Sequence, residues 1–397
     1  MTLQNSHRRF RLESLHLPLL CIALTLTLTA CQQVEGSLRD TETRTFTESF
    51  SLSGGEPLRL ANLVGEVELI AGSGDEVVVE AEVHAAGKDS DQTQRLLDDM
   101  SWVEEKSRGG GKEWFLSYPV EEFKTFHFNR PKSGWGYNSS IRYRGRKIKV
   151  TSRKGSHPTL YANLKVTLPL GSRVELKNFV GNIVGGELSG DLSLDTGSGD
   201  VRLSGFEGEL AVDTGSGDVE LGTIRGETMI STGSGDVRAR EMIGNGEVDT
   251  GSGDVEILKA ALGRLSVDTG SGDVLVEDGS IGELGVDTGS GEVKALRVAV
   301  RSFEADTGSG NVVLEGPLAD TETVLIDTGS GDVRILSSQE ASFDVELDSG
   351  SGDLSVRYED ARLRTSGGRE VIGASRGSGG ARIRVDTGSG DCVVGPA

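Results

Sequence analysis

The residues of this sequence best suited to binding a cation are carboxylates that recur at one position of a short motif. The motif reads Asp-Thr-Gly-Ser-Gly-Asp-Val, and its sixth position is acidic in most copies. Five successive copies place there Asp200, Asp218, Asp236, Asp254 and Asp273. Because calcium prefers hard oxygen ligands, this column predicts weak calcium binding at the surface. The spacing does not fit the nonapeptide calcium-binding repeat, and the alternative is that the carboxylates accept hydrogen bonds from backbone amides in turns.

The same carboxylates do not form a catalytic pair. Glycoside hydrolysis needs a pair of carboxyl groups with different protonation states beside the scissile bond, whereas here equivalent acids recur in every copy. Residues 162–397 contain no His and no Trp, which removes imidazole catalysis and indole platforms for sugars. We therefore expect no catalytic residue and no cofactor other than this calcium. A carbohydrate-active enzyme is the distant alternative.

A second cluster lies in an insert at residues 119–158, where cations and aromatic side chains are interleaved. Between Lys124 and Lys154 there are ten Lys or Arg residues and no acidic residue. Aromatic rings stack on sugars, and guanidinium and ammonium groups bind anions, so we expect a glycan or an envelope protein as partner. The candidate partner-binding residues are Trp135, Tyr137, Arg142, Tyr143, Arg144, Arg146, Lys147 and Lys149.

The insert also has a structural interpretation. Its aromatic side chains would then cover the end of the fold, and its cations would balance the acidic chain or contact anionic headgroups. Arg142, Arg144 and Arg146 alternate along the chain, as the residues on one face of a solvated strand do. The sequence leaves the two interpretations open.

The N-terminus has the pattern of a targeting signal. Three arginines precede an apolar run over residues 17–28, and the tetrapeptide Leu-Thr-Ala-Cys ends at Cys31. This tetrapeptide resembles the lipobox of bacterial lipoproteins, which implies cleavage before Cys31 and acylation of that residue. We expect a signal peptide over 1–30, a tether with the first strand over 31–57, and a bacterial cell envelope location. By the same resemblance, Gln32 favours the outer membrane if the cell has one; the alternative is an ordinary signal peptide.

Composition limits both partners and cross-links. The 397 residues carry 41 Lys and Arg against 62 Asp and Glu, a net charge of -21. This charge repels phosphates, so we expect no nucleic acid as partner. Of the three cysteines, Cys21 leaves with the signal and Cys31 carries lipid, so Cys392 has no partner for an intramolecular disulfide.

The repeats indicate the elements that position these residues. Val212 and Val219 are seven residues apart across one motif, so strict alternation requires a corner between them, at the motif glycines. Spacings of 18 to 21 residues between neighbouring copies suit one coil of a solenoid. We predict an all-β, parallel β-solenoid over 162–397, right-handed by the rule for parallel crossovers. Copies and near-copies begin at Asp195, Asp213, Ser231, Asp249, Asp268, Asp287, Asp306, Asp327, Asp348 and Asp386.

Two further expectations concern the ends of the solenoid. The copies should stack in chain order, with a degenerate copy near Thr365 filling the double gap before Asp386. Residues 58–161 should form an N-terminal β region. Within it, a capping-box pattern and helical apolar spacing predict one amphipathic helix over 91–105, which would cap the open end of the solenoid.

The recurring Thr-Gly-Ser-Gly-Asp-Val units behind a lipoprotein signal resemble the bacterial adhesin-like β-strand-repeat family. Residues 58–67 also resemble the first strands of that family, and the resemblance covers residues 45–397. It implies a non-catalytic, lipid-anchored envelope protein that acts as an adhesin-like interaction or scaffolding surface. The alternative is an envelope module that binds divalent cations. The insert is longer and more basic than the family pattern, and the oligomeric state is not indicated.

Overall fold

The computed structural model describes residues 41–397 apart from 53–54, 107–110, 129–137, 154 and 367–369. The chain divides into two units, Met1–Arg39 and Asp40–Ala397, and the fold below is that of the second. Its described residues form one α-helix and a continuous sheet of 28 strands. The predicted fold class, a parallel β-solenoid with a short helix near its N-terminal end, is confirmed.

Most of the strands from β12 to β19 are long, with 10 to 16 residues, because they run through a corner of the coil. The N-terminal elements are β1 (Glu42–Ser51), β2 (Leu58–Asn62), β3 (Val67–Gly72), β4 (Glu76–Ala86), α1 (Ser90–Asp98), β5 (Trp102–Lys106), β6 (Lys112–Leu116), β7 (Thr125–His127), β8 (Asn138–Tyr143), β9 (Arg146–Thr151) and β10 (Thr159–Pro169). The next are β11 (Ser172–Val180), β12 (Ile183–Ser198), β13 (Val201–Thr214), β14 (Val219–Thr232), β15 (Val237–Thr250), β16 (Val255–Ile257), β17 (Ala260–Thr269), β18 (Val274–Thr288) and β19 (Val293–Thr307). The last are β20 (Val312–Glu315), β21 (Thr323–Thr328), β22 (Val333–Ser337), β23 (Phe343–Ser349), β24 (Leu354–Val356), β25 (Arg362–Ser366), β26 (Glu370–Arg376), β27 (Ala381–Thr387) and β28 (Cys392–Pro396).

The strand segments stack into two long walls joined at the motif corners. Wall 1 holds the segments that end in the Asp-Thr of each motif, in the order β2, β11, β12, β13, β14, β15, β17, β18, β19, β21, β27, β23. Wall 2 holds the segments that start after each motif, from β3 through β12 and onward to β28 and β24. All these pairings are parallel, and from β11 to β22 the offsets are 18, 19 or 21 residues, as the motif spacing predicts.

The core is a thin stack of aliphatic ladders between the walls. In the coil of β13, Val201, Leu203, Phe206, Leu210 and Val212 point inward, and each is at most 4% exposed. Each pairs in register with the equivalent position of the next coil. Burying a side chain of this kind contributes about 1.5–3 kcal/mol, and the coil repeats this gain with few apolar residues. A sequence with few apolar residues can therefore still form a stable core in every coil.

The motif corner explains why threonine and glycine recur. Thr214 is buried; its hydroxyl donates to the carbonyl oxygen of Gly199 in the preceding coil (3.0 Å) and accepts from the amide of Gly217 (3.0 Å). A Cβ at Gly217 would lie 1.8 Å from the carbonyl oxygen of Gly199. The threonine therefore ties neighbouring coils together, and the second glycine lets their backbones approach.

The C-terminal coils are not stacked in chain order, so that expectation is wrong. The last coil, β27 and β28, lies between the coil of β21 and β22 and the coil of β23 and β24. Asp386 therefore neighbours both Asp327 and Asp348. The sequence near Thr365 forms no coil, because its strand β25 pairs antiparallel with β26. That strand lacks the buried alternating positions of a coil, since Leu363 is 53% exposed.

The helix is shorter than predicted. It begins after the N-cap Asp89, whose side chain accepts from the amide of Gln92 (2.8 Å), and it ends at Asp98 rather than at residue 105. Leu96 and Leu97 are buried, and the helix contacts β4 and β1, which continue the sheet beyond β3 by way of β10. The chain then extends into β5, because the residues from Trp102 pair with β6 instead of continuing the helix.

Candidate functional site: the basic hairpin

Most described residues of the predicted binding site lie on one β-hairpin. This basic hairpin consists of β8, a two-residue turn at Arg144 and Gly145, and β9. Both turn residues have positive φ, 47° and 76°, the geometry of the tight turns that join antiparallel strands. Because the turn separates Arg142 from Arg146, the three arginines of this stretch do not share one strand face. That expectation is wrong.

The inner face of the hairpin is a buried aromatic cluster. Tyr143 is fully buried, its hydroxyl donates to the carbonyl oxygen of Leu116 (2.5 Å), and its ring packs edge-on against Phe115, Tyr118 and Phe179. Burial raises the pKa of Tyr143 well above its usual value. Tyr143 is therefore unavailable to stack on a sugar, and its assignment to the binding surface is corrected to a packing role.

The two arginines at the turn are held by acids of neighbouring elements. Arg144 donates to a carboxylate oxygen of Glu105 in β5 (2.6 Å), and Arg146 forms an ion pair with Glu121. These four side chains and Asp99 line a polar cleft of about 460 Å³. Because both guanidinium groups already have carboxylate partners, they brace the hairpin against the rest of the N-terminal region.

The outer face of the hairpin carries the cations that remain free. Arg142, Lys147 and Lys149 are exposed and have no ion pair among the described residues. Arg142 lies directly opposite Lys147 across the strand pair, and Ser140 lies opposite Lys149. Like charges placed opposite each other on neighbouring strands are destabilising. Of the candidate residues, Trp135 and Tyr137 lie outside the described residues.

The hairpin is anchored beside the solenoid's first complete Gly-Ser-Gly corner. The hydroxyl groups of Ser139 in β8 and Ser198 in that corner are 2.8 Å apart. On the other side of the hairpin, β9 pairs in parallel with β7, which pairs with the start of β10. The free cations therefore sit on a rigid support rather than on an isolated loop.

The acidic column at the sixth motif position is organised by the backbone. The amide of Asp218 donates to a carboxylate oxygen of Asp200 (3.3 Å), and the same bond recurs one coil further on at Asp236, Asp254 and Asp273 (3.1, 3.1 and 2.9 Å). These carboxylates thus accept hydrogen bonds from backbone amides, as the alternative to calcium binding expected, but the amides belong to the following coil. Within the described residues, no group of three His, Cys, Asp or Glu side chains is placed to hold a metal ion. Calcium binding stays a prediction.

Sequence reasoning missed the arginines that neutralise part of this column. Arg202 lies 3.2 Å from Asp200, and Arg238 lies 2.9 Å from Asp236. The signal is the tripeptide Asp-Val-Arg, which recurs after several corners and places the cation two residues further along the same strand face. Asp200 and Asp236 are therefore paired with cations, whereas Asp218, Asp254 and Asp273 have no ion pair among the described residues.

The outer face of wall 1 is acidic and was not singled out from the sequence. There, a cavity of about 720 Å³ is lined by four acidic residues, one cation and an exposed methionine: Asp191, Glu209, Glu227, Glu247, Arg264 and Met229, the last 54% exposed. We call this cavity the acidic groove. Asp191, Glu209 and Glu227 occupy equivalent positions of three successive coils. Sequence reasoning missed them because they lie before the motif rather than within it.

The first-position aspartates follow on the same wall. Burial and the neighbouring carboxylate of Asp195 raise the pKa of Asp213, with Lys177 acting in the opposite direction. Burial and repulsion between neighbours likewise raise the pKa of Asp268 and of Asp306. The outer face of wall 1 therefore carries an excess of negative charge, of which the ion pairs of Asp191, Asp195 and Glu283 with Arg173, Lys177 and Arg301 neutralise a part.

These features define a repeat β-solenoid that carries two charged surfaces of opposite sign, the outer face of the basic hairpin and the acidic groove. The chain belongs to the Toastrack DUF4097 family, whose model matches residues 163–242 and 242–394. No curated protein is significantly similar to it in sequence. Among the described residues, no helix combines the length and apolar character needed to cross a bilayer.

Two solved structures resemble the chain weakly. One is a candidate cell adhesion protein from Clostridium sporogenes ATCC 15579, with 11% identity, 90% of this chain and 100% of that chain covered, and a TM-score of 0.18. The other is a candidate lipid binding protein from Parabacteroides distasonis ATCC 8503, with 13% identity, 89% and 97% coverage, and a TM-score of 0.34.

Proposed function

We propose that this protein is a non-catalytic, lipid-anchored component of the bacterial cell envelope that serves as an adhesin-like interaction or scaffolding surface. The observation that carries the proposal is the outer face of the basic hairpin, where Arg142, Lys147 and Lys149 are exposed without acidic partners in the described part of the chain. A rigid solenoid that presents such a face suits binding rather than chemistry. The proposal requires no cofactor.

The anchoring part of the proposal comes from the sequence. Cys31 follows the lipobox-like tetrapeptide, and Gln32 favours the outer membrane if the cell has one. An acylated N-terminus with several chains holds a protein stably at a membrane. The mature chain would then present its solenoid from that surface.

Anchoring is tested by metabolic labelling with a fatty-acid analogue. The wild-type chain should incorporate label and sediment with membranes, whereas Cys31→Ser should lose both properties. Cys392→Ser is the matched control, because Cys392 is buried in the fold, and it should label like wild type. Equal labelling of the Cys31→Ser variant would remove lipid anchoring from the proposal.

The interaction role is tested by binding to intact envelope. The double variant Arg142→Glu/Lys147→Glu should recover fewer envelope components in a pull-down than wild type. Lys165→Glu is the control, because Lys165 is exposed on β10 where that strand pairs with β3 and β4 rather than with the hairpin. Recovery that is unchanged in the double variant would exclude the hairpin as the interaction surface.

A further inference from the structure

We propose that the outer face of the basic hairpin docks into the acidic groove of a second copy of this chain. The inference rests on the proposed role as an interaction surface and names the partner. The hairpin face is defined by Ser140, Arg142, Lys147 and Lys149, and the groove by the acidic residues of wall 1 described above.

The hairpin face is built for an anionic partner. Arg142 and Lys147 are directly opposite each other, so their charges repel within the free protein. Lys149 adds a third positive charge on the same face, since it lies two residues from Lys147 in β9. A surface with negative charges at a similar spacing would relieve this repulsion.

The acidic groove offers that spacing. Glu209 lies between Asp191 and Glu227 in adjacent coils, which are about 4.8 Å apart. Residues opposite each other across a hairpin are about 4.5–5.5 Å apart, so two cations match two successive carboxylates. Asp191 is paired with Arg173, and Glu227 accepts a hydrogen bond from Asn245, whereas Glu209 has no partner within the described residues.

Wall 1 already accepts a cation in this way within one chain. Lys177, one coil before Asp195, forms an ion pair with that aspartate. The pairing shows that an ammonium group can reach a column of acids on the outer face of the wall. The exposed thioether of Met229 adds a flexible apolar contact beside the carboxylates.

The contact joins two copies rather than two parts of one chain. The hairpin is fixed at the Gly-Ser-Gly corner where the wall 1 segments end, whereas the groove lies where those segments begin. No ion pair joins the two surfaces in the described part of the chain. Each copy contributes its hairpin face to one contact and its acidic groove to another. The contact is therefore heterologous and can extend to further copies.

The net charge of -21 does not prevent this contact. At physiological salt the Debye length is about 8 Å, so charges far from the contact are screened while the facing groups still attract. Added salt also screens the facing groups, so the association should weaken as the salt concentration rises.

The test is sedimentation velocity of residues 31–397 carrying Cys31→Ser, which removes the acylation site. The sedimentation coefficient should rise with protein concentration at about 50 mM NaCl, and association should weaken about tenfold or more at about 300 mM. The hairpin variant Arg142→Glu/Lys147→Glu and the groove variant Glu209→Lys/Glu227→Lys should each remain monomeric. A mixture of the two variants should associate again, because each supplies a surface complementary to one on the other.

Lys165→Glu and Glu304→Lys are single charge-reversal controls outside the two proposed surfaces, and both should associate like wild type. A wild-type chain that stays monomeric at low salt, or variants whose mixture does not associate, would overturn the proposal. If the hairpin variant instead loses binding to vesicles of anionic phospholipid while the wild type is monomeric, the partner is a membrane surface and self-docking is wrong. That last result would leave the interaction role of the hairpin intact, so the two proposals fail separately.

Discussion

At the scale of single residues, the second glycine of the motif has a geometric role that a glycine on the outer face of the sheet lacks. A Cβ at Gly253 would lie 1.8 Å from the carbonyl oxygen of Gly235 in the preceding coil. At Gly285, on the outer face of wall 1, a Cβ would meet nothing within 4 Å. The two positions therefore form a matched pair for substitution by alanine.

Gly253→Ala should lower the free energy of unfolding by about 3 kcal/mol or more, since the two coils must separate to admit the methyl group. Gly285→Ala should change it by less than about 1 kcal/mol, with a gain from the stiffer unfolded chain. Urea denaturation of both variants measures the difference. Similar stabilities for the two would show that close coil contact at the corner is not required.

The aspartate column of wall 1 makes stability depend on pH in an unusual direction. Burial, together with the neighbours Asp287 and Asp249, raises the pKa of Asp268. The folded chain then binds more protons than the unfolded chain in the window above the ordinary aspartate pKa. This contribution to stability is present at acidic pH and is lost as the pH rises through the raised pKa.

Asp268→Asn should therefore stabilise the protein at pH 7, by about 0.3 kcal/mol for an exposed pair of like charges, and should have no effect at about pH 3. Asp278→Asn is the opposite case, because a hydrogen bond from Arg297 lowers the pKa of Asp278. That variant should be less stable than wild type at pH 7. Thermal melting of both variants at pH 7 and at about pH 3 measures these effects. A loss of stability in Asp268→Asn at pH 7 would contradict repulsion between the neighbouring aspartates.

At the scale of elements, the basic hairpin depends on its buried tyrosine. Replacing Tyr143 by alanine removes contacts with Phe115, Tyr118 and Phe179 and leaves a cavity. The expected loss of stability is about 3–5 kcal/mol, as for other buried aromatic residues. Thermal melting and protease cleavage within the hairpin measure it.

Arg142→Ala is the control on the opposite face of the same strand. Its free energy of unfolding should lie within about 0.5 kcal/mol of the wild-type value. If Tyr143→Ala melts like wild type yet loses partner binding, Tyr143 belongs to the binding surface after all. This comparison separates the packing role from the recognition role.

The elements also show what the sequence can and cannot predict. The coil was predictable because the motif marks each corner and the apolar residues on either side alternate strictly. The end of the helix was not, since Met100 and Val103 fit a helical pattern while the pairing of β5 with β6 depends on contacts distant in sequence. The burial of Tyr143 could not be predicted either. The position of the turn at Arg144 and Gly145 determines which residues of β8 and β9 face inward, and the sequence pattern did not locate that turn.

At the scale of the whole solenoid, the last coil is enclosed by two earlier ones. Its Cys392 is fully buried, and burial raises the pKa of the thiol to about 12. In residues 31–397 carrying Cys31→Ser, this is the only thiol. Its reaction with a thiol reagent therefore reports whether the enclosed coil is open.

At about pH 8 the native chain should react on the order of 100-fold or more slowly than the urea-unfolded chain, because the raised pKa leaves little thiolate and the site is closed. The rate measured at increasing urea should rise before or together with global unfolding. Native labelling as fast as that of the unfolded chain would mean that the last coil is not held between its neighbours.

The stacking order near the C-terminus could not be read from the repeats. Each copy carries the same corner and the same alternation, so identical motifs permit any order of coils. The deciding feature is the β25–β26 hairpin, whose antiparallel pairing with β23 closes that edge to a further coil. The final segment instead finds complementary edges on β21 and β23.

This order has a consequence for synthesis. The ribosome releases the residues of β27 and β28 after those of β21 to β24, yet β27 and β28 lie between these earlier strands. The solenoid therefore cannot be completed one layer at a time from the N-terminus. In a chain that ends before residue 381, the edges of β21 and β23 that β27 covers would both lack this partner, so the stack of coils is complete only after residues 381–396 have been synthesised.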